Sequence, residues 1–241
     1  MRSTNPIFER LERENSVYTG AQSRTGVVTK TALLIGLALL SGFLSIYIPA
    51  DILVGILIPV SILTFVASFI AIISRRFAAP AAIIYSVGEG LIYGILTHIL
   101  ELAFPGIGLI AIVGTLSVFL VMFTLYSTGL LRASSFLKKF VLGGLISIVV
   151  GSLLLSITSL INPAFANAFY ANTSLLIAIY LGLIVFGGFM LITDFDRAES
   201  VVEMGLGKNE EWLASMGIMI TLIWIYINLL RLLIVVMNDR K

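Results

Sequence analysis

Few side chains in this 241-residue sequence could do chemistry, and several of them lie in strongly apolar surroundings. The densest case is "GGFMLITDFDRAE", residues 187–199, where seven uncharged residues run into Asp194, followed by Phe195, Asp196 and Arg197. A carboxylate that closes an apolar helix faces the negative end of the helix dipole. It then needs a cation, a hydrogen-bond donor or a proton. Arg75 and Arg76, adjacent cations at the end of another apolar stretch, can supply the first. Two readings follow for Asp194: a structural ion pair, or a gate that a proton or cation releases. Asp196, two residues on, points to the other side of a continuing helix and is expected to be wetter.

Glu89 is the second candidate. It lies about ten residues into an apolar run, with Tyr93 and Thr97 following at four-residue steps on one helix face. A charge near a bilayer centre costs about 2.5–3.5 kcal/mol on insertion scales, so it needs a reason. The reason is either an ion or proton site, or a glutamate hydrogen-bonded to a neighbouring helix. Asp194 and Glu89 are thus the carboxylates expected to meet a cation. His98 and Glu101 sit near the outer end of the same run, where a lone histidine is an interface residue more often than a ligand. Arg231, in "NLLRLL", is expected to snorkel outward or to pair with an outer acid. Asp51 is expected in a solvated turn.

Composition decides where these groups must work. Hydrophobic residues make up 59% of the chain, charged residues 12%, and the mean hydropathy is +1.09. Soluble domains carry about 25% charged residues, so the chain reads as an all-α integral membrane protein surrounded by a lipid bilayer. The sequence has no cysteine, which removes disulfides, thiol redox chemistry and cysteine metal sites. One histidine cannot build a multi-histidine zinc or haem site, and no cofactor is expected. A formal charge of +2 without a basic run gives no reason for a nucleic-acid partner. No G-x-S-x-G stretch accompanies the histidine, so an enzyme is not expected. The polar start of the chain lacks the apolar core of a cleavable signal peptide.

A spanning helix needs roughly 20 apolar residues. Seven stretches qualify: about 30–48, 52–74, 80–103, 107–131, 139–161, 172–193 and 214–237. Residues 1–29 form a polar tail with a possible amphipathic turn at "NPIFERLER", and 30–241 form the seven-helix domain. The segment "NPAFANAFYAN" at 162–172 is expected as an interfacial loop, and the acidic 194–213 stretch as partly helical. Lys and Arg fall in the first 30 residues and in the gaps at 74–79, 132–139 and 194–213, while the alternate gaps have none. That asymmetry places the tail and those three gaps in the cytoplasm. Gly90 and Gly94, the stripe Gly143, Ser147 and Gly151, and the pair Gly187 and Gly188 mark expected close helix contacts.

With these residues in place, the chain resembles the Bax inhibitor-type family of membrane proteins, in its bacterial branch. "GGFMLITDFDRAE", a short polar stretch and then "WLASMGIMITLIWIYINLLRLL" carry the resemblance, and Arg75 and Arg76 ending the second span fit it too. The resemblance implies a seven-helix bundle with the last helix central, in the bacterial inner membrane. It implies a pH-sensitive calcium leak whose sensor is a pair of aspartates, with an arginine from the second helix latching to the first. By position the first aspartate is Asp194 and the latch is Arg75 or Arg76. The second aspartate is replaced: counting back from Arg231 through Asn228, its place falls on Thr221. A hydroxyl can donate to Asp194 but holds no charge, so a coupled two-acid titration is not expected, unless Glu89 or Asp196 takes part. Ca²⁺ prefers several oxygen ligands, carboxylates included, so the exchange bears on the ion carried too. The alternative is a regulatory scaffold that binds other membrane proteins without transport.

Overall fold

The computed structural model describes residues 24–204 and 207–239, and the tail up to residue 23 and its suggested turn lie outside these. Every regular element among the described residues is helical: α1 (Arg24–Leu44), α2 (Ala50–Ile73), α3 (Ala78–Ala103), α4 (Ile107–Ser127), α5 (Ser135–Ile161), α6 (Pro163–Ala171), α7 (Thr173–Glu203) and α8 (Lys208–Asp239). Seven of them, all but α6, are long and apolar enough to cross a membrane. The seven stretches read from hydropathy therefore each form a helix. α1 begins at Arg24, inside what the sequence suggests is tail. The expected loop at 162–172 is instead the short helix α6, started by Pro163 at its first turn and by the Asn162 side chain, which accepts from the Phe165 amide.

The larger correction concerns α7. Asp194 does not close it; the helix continues to Glu203. The reason is a second apolar stripe beneath the charges: Leu191, Ile192, Phe195, Ala198 and Val201 recur at helical spacing and are all at most 9% exposed. The dipole argument therefore does not apply at Asp194, which sits in the helix interior.

The chain divides into two compact units. The first comprises Met1–Gly94 and Arg197–Met219. Within it, α1 and α3 approach closely at small residues, as expected. A methyl group at Gly90 would fall 2.3 Å from the Ala38 carbonyl oxygen, and one at Gly94 would fall 2.5 Å from the Gly42 Cα. The Ser86 hydroxyl donates to the Leu34 carbonyl across the same contact. The start of α8 packs on the start of α1, where Ser215 donates to the Val27 carbonyl at 3.1 Å.

The second unit comprises Ile95–Asp196 and Ile220–Lys241. Its part of α8 buries Leu230 against Ile107 and Ala111 of α4. Tyr226 and Thr97 share a hydrogen bond of 2.6 Å between α8 and the end of α3. Gly187 lets α7 approach α8: a methyl there would meet Ile225 Cγ1 at 2.6 Å. The expected stripe on α5 is a correction. Nothing lies within 4 Å of a methyl built at Gly143 or Gly151, and Ser147 satisfies itself on the Gly143 carbonyl. The contact is made one residue over, by Gly144 against the Phe186 ring. α8 thus contributes to both units, and it is packed along both of its parts.

Candidate gate site

Asp194 lies on α7 of the second unit, about two and a half turns before the end of that helix. The buried stripe of Leu191, Ile192 and Phe195 fixes the helix face on either side of it. Phe195 is held by rings on α4, with Phe119, Phe123 and Tyr126 each 5.7 Å away between centroids. Thr221 lies on α8 and is 2% exposed. Its hydroxyl donates to Asp194 Oδ2 at 2.5 Å. A hydrogen bond to a charged acceptor contributes about 1.5–3 kcal/mol, less than a buried ion pair loses when broken. The two helices are therefore joined by a proton donor without charge.

The other expected residues are placed as follows. Arg75 forms an ion pair with Glu210 of α8, Nε to Oε1 at 2.8 Å, in the first unit. Its guanidinium is mostly exposed, and the contact is ionic rather than an aligned hydrogen bond. Arg76 is exposed, with its guanidinium 5.9 Å from the Phe77 ring centroid. Asp196 is half-buried, like Asp194, and pairs with Lys138 of α5 at 2.6 Å. Glu89 and Tyr93 are half-buried on α3 of the first unit. Arg231 is exposed on α8, as snorkelling requires. Among the described residues no group of three or more His, Asp or Glu gathers to hold a metal.

Two acidic positions carry more structure than their sequence context suggests. Glu211 is 3% exposed and bonds the ammonium of Lys30 on α1. Lys30 also stands 5.4 Å over the Trp212 ring. Within the acidic 194–213 stretch, residues up to Glu203 and from Lys208 on are helical, and Asp196, Glu210 and Glu211 are ion-paired. A local signal existed: two glutamates in the first turn of α8 suit the positive helix end. The partner, 181 residues away, had none. Glu101 accepts from the Gly106 amide at 2.5 Å and the Gly108 amide at 3.1 Å, so it clamps the Pro-Gly turn and caps α4. An acid preceding a glycine-containing turn by five residues could have pointed to this.

The comparisons with known proteins agree with this architecture. No curated protein matches the chain with significance. A family model described as "Bax inhibitor 1 like" matches residues 5–238, nearly the whole length. The all-helical chain with seven membrane-capable helices therefore belongs to the Bax inhibitor 1-like family.

Proposed function

We propose that the protein is a passive cation leak pathway in the bacterial inner membrane, carrying Ca²⁺, with its gate at Asp194. The observation that supports this is the hydrogen bond from Thr221 to Asp194, which ties α7 to α8 through a carboxylate that a proton or cation can reach. In the closed state Asp194 holds the Thr221 hydroxyl. Arg75, expected from the resemblance as one of two candidate latches, is engaged by Glu210 within the first unit. Protonation of Asp194 weakens the bond to Thr221, α7 and α8 part, and flux rises as the pH falls. The positive-inside asymmetry supports a cytoplasmic position for this mouth. Glu89 and Tyr93 serve as further polar contacts along the route, and Asp196, tied to Lys138, positions α5 against α7. Arg231 anchors the outer end of α8 at the interface.

The test is ion flux into liposomes containing the purified protein at two pH values, with Ca²⁺, K⁺ and H⁺ compared. Asp194→Asn cannot hold the charge, so it should raise the flux at neutral pH and flatten the pH profile. An unchanged flux and profile would remove Asp194 from the gate.

A further inference from the structure

Asn228 lies on α8, flanked by Ile227, Leu229 and Leu230, and is 3% exposed. Its amide nitrogen donates to the Trp224 carbonyl at 2.8 Å. That bond fixes the amide orientation, because a flipped amide would set its oxygen against the Trp224 carbonyl oxygen. The amide oxygen, Oδ1, then has no hydrogen-bond partner among the described residues. Natural proteins rarely leave a buried acceptor unmet, since the group gives up water and gains nothing.

The position on the helix adds direction. Thr221, Trp224 and Asn228 fall at i, i+3 and i+7 and share one face of α8. Thr221 carries Asp194 at one end of this stripe, and Asn228 lies seven residues further, about 10 Å along the helix axis. The donors on the stripe are engaged: the Thr221 hydroxyl on Asp194, the Trp224 indole on the Leu183 carbonyl at 3.4 Å, and the Asn228 nitrogen on Trp224. The Asn228 nitrogen has one of its two N–H groups on Trp224, and the oxygen still offers its lone pairs. Such an oxygen suits a cation that keeps part of its water shell.

We propose that Asn228 Oδ1 is a cation-binding position within the second unit, an inner stop for a partly hydrated cation on the α8 face that carries Asp194. The identity of its ligand rests on the leak reading above; the unmet oxygen does not.

The test uses the full chain with Trp212→Phe, which leaves Trp224 as the reporter one turn from the site. Thallous ion, a heavy monovalent cation, is titrated as its nitrate, and quenching of Trp224 fluorescence is read. The wild-type position should be quenched. Asn228→Leu, similar in size and without the oxygen, should weaken that quenching about tenfold. Asn228→Asp, which keeps an oxygen and adds charge, should restore or strengthen it and raise the Ca²⁺ share of liposome flux. Equal quenching with Asn228 and with Leu, or none with Asn228, would overturn the proposal whether or not the protein leaks. If the quenching pattern holds in a protein that passes no ion, the leak reading fails and the site stands. A leak unaffected by Asn228→Leu, with the quenching pattern absent, removes the site alone.

Discussion

Glu211 and Asp194 both face partners on another helix, yet they are held in different ways. Glu211 is nearly fully buried, receives the ammonium of Lys30, and sits so close to Gly26 that a methyl there would meet its carboxylate at 2.5 Å. Asp194 is half-buried and receives the neutral hydroxyl of Thr221. The first arrangement is a permanent joint: removing one charge strands the other in a low dielectric. The Thr221 bond in the second can be undone by one proton without leaving a charge on the donor. On the proposed reading, the charge of the donor, rather than the presence of an acid, separates a tie from a switch.

Substitutions can break or sharpen that contrast. The largest effect belongs to the tie. Lys30→Met should destabilise the folded protein by about 3–5 kcal/mol, the range for an orphaned buried charge. The combined change with Glu211→Gln should recover part of that loss, and thermal unfolding in detergent reads both. If Lys30→Met unfolds at the wild-type temperature, the joint is not structural and the contrast fails.

A smaller effect belongs to the switch. Thr221→Val removes the donor and should cost about 1–2 kcal/mol in the same assay. Its main consequence should be a leak raised at neutral pH. Thr221→Asp should do more to pH than to stability. It sets two carboxylates within hydrogen-bonding distance, which titrate as a pair, so flux should change in two steps where the wild type shows one. A single unchanged step with Asp at 221 would mean that the site does not set the pH response.

The smallest effect is expected at Lys138. Its pair with Asp196 is more than half exposed on the lysine side, so Lys138→Met should shift stability by less than about 1 kcal/mol. A larger loss would place this pair with Glu211 rather than between the two classes.

What the sequence disclosed follows the range of each signal. Long apolar runs announce spans by composition alone, and all seven appear as helices. The Thr221 position could be counted from Arg231 because α8 is one uninterrupted helix. The extension of α7 past Asp194 escaped because charges end a hydropathy window, although Phe195, Ala198 and Val201 keep the helical period. Small-residue spacing found the α1–α3 contact at Gly90 and Gly94 but chose the wrong face of α5, since Gly143 and Gly144 are neighbours and spacing does not say which points inward. The Lys30–Glu211 joint spans 181 residues, and no local pattern encodes such a meeting.

One feature of α5 reaches beyond the gate. Of its most apolar 18-residue stretch only 6% is buried, against 39% in α7 and in α8, and Val141 is its one buried residue. Its attachment is concentrated near its first turns, at the Lys138 pair, at Phe140 against Phe186 and Phe189, and at Gly144. Acyl chains must therefore supply most of what holds this helix upright, and bilayer thickness becomes a mechanical input to the rod that Lys138 fastens to α7. A thinner host membrane would tilt that rod and pull on Asp196, two residues from Asp194.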